Sequence, residues 1–406
     1  MRIIFLTLSR NISLKIRGIY SDLLLYFKDR GHQVYVIYPR ERYTSLNTEL
    51  NNEDDVSYLG VRTLNLQKTN FIEKGIGTIL LDYQFRSAIK TYWRDITFDL
   101  ILFSTPPITF AKSIKALKIN NPQARTYLLL KDIFPQNAMD LGILRQVNPL
   151  YVYFRNKEKR LYKLSDYIGC MSPANVNYVL AHNPEVDASR VEVAPNSVEL
   201  VNTDDTDKSA IRAKFGLPVN KPIFIYGGNL GKPQGIPFLI ECLEANADRE
   251  DCFLLVIGTG TELPKLKDWY ADRQPKSVKV MDGLPKVEYD ELVRSCDVGL
   301  IFLDHRFTIP NYPSRLLSYL ENKMPVLCAT DPNTDMGRIA EENGYGFWCE
   351  SNSVEAFTRT LDMMIHSDRK AMGEKGYQFL CENYLVQHTY DAIMRHFKDT
   401  KFLKDL

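Results

Sequence analysis

No stretch of the 406 residues approaches the roughly 18 consecutive apolar residues that a membrane span requires, so any membrane contact must be peripheral. Cysteine is sparse and unpaired in pattern. The seven residues Cys170, Cys242, Cys252, Cys296, Cys328, Cys349 and Cys381 are odd in number and show no C-x-x-C spacing, which argues against a disulfide framework or a zinc site and fits a reducing cytoplasm. The opening Met-Arg-Ile-Ile-Phe-Leu-Thr-Leu meets polar residues by Ser9; it is too short for a secretory signal and reads as a first strand. With 45% hydrophobic and 25% charged residues, the composition is globular and excludes disorder and collagen. The length suits two packed cores.

A net charge of +1 conceals an asymmetry. Residues 1–200 carry 26 Lys and Arg against 19 Asp and Glu, a balance of +7, which leaves −6 for the remainder. Clustered positive charge concentrates anions, so the first half is the better place for an anionic surface or ligand.

Short apolar runs alternate with helical patterns: Ile3–Leu8, a helix near 19–30, Gln33–Tyr38, a long helical stretch near 78–93, and Asp99–Phe103. That rhythm is βαβ and predicts a parallel sheet covered by helices. Thr126–Leu130, Tyr167–Met171 and Val191–Val193 complete a first domain over 1–195. Residues 196–217 turn polar and read as a linker, which includes Asp205-Thr206-Asp207. A second series then runs through Ile223–Tyr226, Phe253–Ile257, Val278–Met281, Val298–Phe302 and Val326–Cys328, giving a second domain over 218–380. The segment 381–406 is helical, charged and expected to cross back. The fold class is therefore α/β, with two Rossmann-like domains.

Three motifs carry chemistry. Ile223–Gly235 is an apolar strand running into the turn Gly227-Gly228-Asn229-Leu230-Gly231-Lys232, with a helix to follow; glycines let amides approach a phosphate, and a helix start adds positive potential. The alternative is tight packing of helix on strand. Gly258-Thr259-Gly260 follows a second strand, at the end of an α/β sheet where ligands gather. The full G-x-G-x-x-G fingerprint is absent, which disfavours a dinucleotide cofactor. In Asn311–Leu327, Pro313 and Ser314 open a helix that places Arg315 in its first turn, suited to a diphosphate, although such an arginine is often simply solvated.

In their order and spacing these motifs resemble the retaining glycosyltransferases of family 4. Further agreement lies in Gly31-His32-Gln33-Val34-Tyr35-Val36, Asp132-Ile133-Phe134-Pro135 with Leu141-Gly142, Asp166-Tyr167-Ile168 and Val193-Ala194-Pro195-Asn196. The resemblance implies the GT-B architecture, two Rossmann-like domains facing across a cleft, and is closest to bacterial enzymes that add amino sugars to lipid-linked acceptors in O-antigen and capsule synthesis. It further implies a UDP-sugar donor with Gly228, Asn229 and Gly231 on its diphosphate, Arg315 as the main cation, Ser314 nearby, and Gly283, Leu284 and Pro285 at the base. Where the family has an arginine and a lysine in the first turn, this chain has Asn229 and Gln234, with Lys232 as a substitute cation. Where the family has two glutamates, Pro310 and Ser318 stand; Ser318, or Glu321 one turn on, is the available partner for the ribose.

No histidine of the six follows a first-domain strand in a catalytic setting, so Asp132, at a strand end expected to face the cleft, is the best first-domain carboxylate for orienting or deprotonating an acceptor; a capping role is the alternative. No D-x-D metal signature sits at a strand end, and no metal or other cofactor is expected. The expected function is transfer of a HexNAc or deoxy-amino sugar from a UDP-sugar to an undecaprenyl-diphosphate-linked saccharide at the cytoplasmic membrane face, with no nucleic acid partner. The alternatives are a UDP-sugar 2-epimerase and a silent nucleotide-sugar-binding partner. For docking, Lys68–Trp93 mixes Phe71, Ile72, Ile76, Leu80, Leu81, Tyr83, Phe85 and Trp93 with Lys68, Lys74, Arg86 and Lys90. Within it, Ile76, Ile79, Leu80 and Tyr83 fit a buried helical face equally well.

Overall fold

The computed structural model describes residues 1–9, 12–66, 71–201 and 207–397. The described residues form two compact units, Met1–Glu199 joined by the chain from Val386 onward, and Leu200–Leu385.

The first unit holds β1 (Arg2–Leu6), β2 (Gln33–Glu41), β3 (Glu49–Glu53), β4 (Val56–Thr63), β5 (Leu100–Ser104), β6 (Arg125–Leu130), β7 (Tyr167–Cys170) and β8 (Val191–Val193). Its sheet runs β3-β4-β2-β1-β5-β6-β7-β8, parallel throughout except for the β3–β4 pair. Parallel strands covered on both faces need near-continuous apolar sequence, and β5 (LILFS) is buried at every position. The β3–β4 hairpin was not apparent from the sequence. Its first strand, Glu-Leu-Asn-Asn-Glu, is a polar edge, and its turn is made by Asp54 and Asp55, both at positive φ, without the glycine that advertises such turns.

The second unit holds β9 (Ile223–Asn229), β10 (Phe253–Thr259), β11 (Val278–Asp282), β12 (Val298–Phe302), β13 (Val326–Thr330) and β14 (Gly346–Glu350). Its sheet is all parallel in the order β11-β10-β9-β12-β13-β14. Strand order reverses between β9 and β12, and the crevice outside the carboxyl ends of such a pair is where open α/β sheets bind ligands. The turn after β9 is therefore placed by topology at the binding edge of this unit.

The expected linker is only partly a linker. Asp205 and Thr206 lie outside the described residues, but Asp207 caps the helix Lys208–Lys214 by accepting from the Ser209 and Ala210 amides. Arg212 of that helix ties it into the second unit, donating to the Ser295 carbonyl at 2.8 Å and pairing with Asp297 at 2.6 Å. The return to the first unit also falls later than residue 381. Arg369–Asn383 is one uninterrupted helix, and it is the next helix, Val386–Met394, that joins the first unit, with the Val386 amide on the Val198 carbonyl and Thr389 on Ser197. Residues 398–406 lie outside the described residues.

The long helix Phe71–Tyr92 corrects one expectation. Ile76, Ile79, Leu80 and Tyr83 are exposed, while Leu81, Phe85, Ala88 and Ile89 are buried. Phe85 stacks on Phe110 with ring centroids 5.1 Å apart. Both sets have helical spacing, so periodicity alone could not choose between them; the face bearing Phe85 wins because it meets the helix Ala111–Asn120. Phe85→Ala is expected to lower unfolding stability by about 3–5 kcal/mol, against less than about 0.5 kcal/mol for Tyr83→Ala, read by urea titration.

Candidate functional site

The second-unit site begins at the end of β9. Gly228, Gly258 and Asp282 are register partners across β9, β10 and β11, so the Gly-Gly-Asn turn, the Gly-Thr-Gly turn and the loop Gly283-Leu284-Pro285 share one sheet edge. Gly228 adopts φ +121°, a conformation that L side chains avoid. Gly258 and Gly260 are glycines for another reason. A Cβ at Gly258 would lie 1.8 Å from the Gly228 carbonyl oxygen, and one at Gly260 would lie 2.2 Å from that of Leu230. Close approach of the two strand ends accounts for both residues. A Cβ at Gly283 would press on the Thr259 methyl at 2.8 Å. Leu284 is half-buried, and Pro285 is exposed at the start of the helix Lys286–Arg294.

Arg315 opens the helix Arg315–Glu321. Its guanidinium carbon lies 4.3 Å from the centre of the Tyr226 ring, a cation–π contact, and 3.7 Å from the place a Cβ would take on Gly228. The ring is held in place because the Tyr226 hydroxyl donates to the Asn229 carbonyl at 2.7 Å. Burial pushes the Tyr226 phenol up, and the Arg315 charge works against that shift. Arg315 Nη1 is buried and has no hydrogen-bond partner among the described residues. Leaving a buried charged donor unmade costs more than the roughly 1–3 kcal/mol of a neutral one, so this atom is the strongest unmet demand for an anion at the edge.

Two further tyrosines shape the site, and the sequence reading missed both because they sit inside helical apolar patterns. Tyr319 accepts from the Gly227 amide at 3.2 Å and donates to the Ile225 carbonyl at 3.1 Å, locking its helix onto β9. Tyr289 stands over Gly227, where a Cβ would collide with its hydroxyl at 2.0 Å; burial pushes its phenol up to about 12.

The cradle of bare amides expected at the first turn is thinner than its glycines suggest. The Gly227 amide is taken by Tyr319, that of Leu230 by the Thr259 carbonyl, and that of Gly231 by Gln234 Oε1 at 3.2 Å. Gln234 Oε1 also accepts from Asn229 Nδ2 at 2.9 Å, so the two neutral side chains in the turn bond to each other. Lys232 is exposed. Ser314 is exposed and makes no capping bond, and Ser318 is half-buried one turn beyond Arg315. Glu321 is not a free carboxylate: it is buried and accepts from the Val201 amide at 3.2 Å, anchoring the incoming chain.

In the first unit, Asp132 follows β6. Its Oδ1 accepts from Asn137 Nδ2 at 2.7 Å, and its backbone carbonyl accepts from the Thr105 hydroxyl at 3.1 Å. Burial pushes the carboxyl up to about 6, against the Asn137 hydrogen bond. The neighbouring Lys131 reaches the Ala194 carbonyl at 3.3 Å, and burial pulls its amine down to about 7. Two adjacent groups perturbed toward neutrality at a strand end suit proton handling. Among the described residues, no group of three or more His, Cys, Asp or Glu is arranged to hold a metal.

Residues 20–201 match the family model for Glycosyltransferase Family 4, and residues 207–379 match that for glycosyl transferases group 1. The chain is a glycosyltransferase with the GT-B fold. The glycosyltransferase is 22% identical over 325 residues to WbjE of Pseudomonas aeruginosa, which is named as a glycosyltransferase, covering 78% of each chain. It is 28% identical over 294 residues to WcaI of Escherichia coli, named for colanic acid biosynthesis, covering 69% of each. Its fold is shared with Anabaena HepE, solved with UDP and with UDP-glucose, at TM-scores of 0.68 and 0.69, 14% identity and coverage of 98% of this chain and 99% of that one.

The raised Asp132 carboxyl has a consequence for stability. Its folded pKa of about 6 exceeds the ordinary 3.8, so between those values the folded glycosyltransferase holds more proton than the unfolded chain, and stability falls as pH rises through that window. Asp132→Asn is expected to flatten this fall, measured as urea midpoints from about pH 4 to about pH 6.

Proposed function

We propose that the glycosyltransferase is a retaining enzyme of cell-surface polysaccharide synthesis, in O-antigen or capsule assembly. The second unit holds a UDP-sugar, its sugar a HexNAc or deoxy-amino sugar, and the first unit admits a saccharide linked to undecaprenyl diphosphate. The observation that carries the reading is Arg315 Nη1, buried without a partner beside Gly228 at the strand-order reversal. Support comes from a relative named for colanic acid biosynthesis and from a protein of the same fold solved with UDP-glucose.

In this reading the bond from the anomeric carbon to the diphosphate breaks as the acceptor oxygen bonds to the same face of the sugar, and UDP departs. Arg315 faces the charge that grows on the leaving oxygens, where preorganised donors act most strongly. Asp132 orients the acceptor hydroxyl or takes its proton. The residues named need no metal, and the reaction runs at the cytoplasmic face of the membrane. The ribose contact falls to Ser318, because Glu321 is engaged with Val201.

UDP release from UDP-sugars, followed with and without a lipid-diphosphate saccharide, tests the reaction class. Acceptor-dependent release is expected; appearance of an epimer instead contradicts transfer. Arg315→Ala is expected to lower kcat/KM by about two to three orders of magnitude with the far-ultraviolet spectrum unchanged, and near-normal rates would remove the phosphate assignment. The rate should rise with pH to a plateau above about 6, since Asp132 accepts a proton only when ionised. Asp132→Asn should remove that limb and cost about a hundredfold.

A further inference from the structure

The amino-terminal edge of the second sheet, opposite the one that carries Gly228 and Arg315, holds a feature that neither the fold nor the donor site uses. A cavity of about 580 Å³ opens where the chain enters β12 and β13. Its wall comes from the end of the helix Lys286–Arg294, from residues 322–324 ahead of β13, from Lys208, and from the start of the helix Arg369–Asn383. All of it lies within the second unit.

Five cations and three acids line the cavity, a balance of +2. Each acid already has partners. Asp297 pairs with Arg212 at 2.6 Å and accepts from the Ile223 amide at 2.8 Å, Asp368 accepts from the Ala371 amide at 3.0 Å, and Glu374 pairs with Lys323 at 3.1 Å. Among the cations, Lys208 donates to the Cys296 carbonyl at 3.3 Å, and Arg369 donates to the carbonyls of Met364 and Ile365. Arg294 and Lys370 have neither a side-chain hydrogen bond nor an ion pair among the described residues. The acids one turn back from Arg294 are taken as well, Asp290 by Lys286 at 2.7 Å and Glu291 by Lys214 at 2.6 Å.

Two unpaired cations from different helices thus meet in one concave space, whose walls focus their field more than an open surface would. A phosphate monoester carries about −1.5 to −2 at pH 7 and matches the balance of the wall. A forked guanidinium beside an ammonium supplies the charged donors that such a group takes. The space exceeds what phosphate alone needs and falls within the roughly 300–1,000 Å³ of small-molecule sites. Asn322 Nδ2 donates to the Ser318 carbonyl at 2.7 Å, which leaves its Oδ1 to accept from a ligand hydroxyl. The Ser367 hydroxyl donates to the Met364 carbonyl at 2.9 Å and so offers its oxygen in the same way. Acceptors for hydroxyls beside donors for phosphate select a polyol phosphate over a bare anion.

We propose that this cavity is a second ligand site, for a small polyol phosphate monoester, filled independently of the donor edge. The full chain carrying Arg315→Ala is titrated with ribose 5-phosphate by calorimetry, so that the donor edge does not supply the response. One saturable site is expected, about tenfold tighter than for inorganic phosphate and silent to ribose, with a urea midpoint that rises as the probe is added. Adding Arg294→Gln with Lys370→Gln should weaken binding by about tenfold or more, and Lys370→Gln alone, at an exposed position, by about threefold. Both chains should keep the far-ultraviolet spectrum of their parent. No saturable binding, or equal binding by the parent and the double-glutamine chain, would overturn the site. Equal affinity for inorganic phosphate would overturn its assignment to a polyol. Failure of UDP to bind at Arg315 would overturn the donor reading and leave this cavity untouched.

Discussion

A guanidinium pressed against an aromatic face, with one donor left unmade, is the constraint around which the second unit is built. Taking the Arg315 charge out of water costs several kcal/mol, and the cation–π contact with Tyr226 returns on the order of 2 kcal/mol in a desolvated setting, only part of that cost. The arrangement is reasonable if the remaining demand is met by a ligand. The surrounding residues serve that geometry: Tyr226 is fixed by its bond to the Asn229 carbonyl, Tyr319 pins the arginine's helix to β9, and Gly299 leaves room for the Tyr319 ring, which a Cβ there would strike at 2.2 Å.

The same geometry changes the picture of phosphate binding by a glycine-rich turn. Several amides of the turn after β9 are spent within the protein, and the Asn229–Gln234 pair is neutral. Positive potential at this edge is concentrated on Arg315, with exposed Lys232 as the other nearby cation in sequence. The glycines do a different job, letting β9, β10 and the Tyr289 hydroxyl approach each other more closely than any side chain permits.

Much of the fold was legible because parallel strands buried on both faces leave continuous apolar runs, and both series of such runs match strands of the two sheets. What escaped was what that signal does not encode: a polar edge hairpin turned by Asp54-Asp55, and β14, whose Gly346-Phe347-Trp348 opening carries a glycine close against Val326. At the site, Arg315 and Gly228 were readable from a helix start and a glycine-rich turn. Tyr226, Tyr289 and Tyr319 were not, because a ring that orients a charge and a ring that fills a core look alike in a sequence. Glu321 misled for a related reason, since i, i+3 spacing puts it on the correct face without showing that Val201 already occupies its carboxylate.

The most direct measurement of the central claim is the crystal structure of the protein soaked with UDP. The diphosphate should lie at the end of β9, with an oxygen within hydrogen-bond distance of Arg315 Nη1 and the base toward Gly283-Leu284-Pro285. A diphosphate bound elsewhere, or at that edge with Nη1 still unpaired, would contradict it.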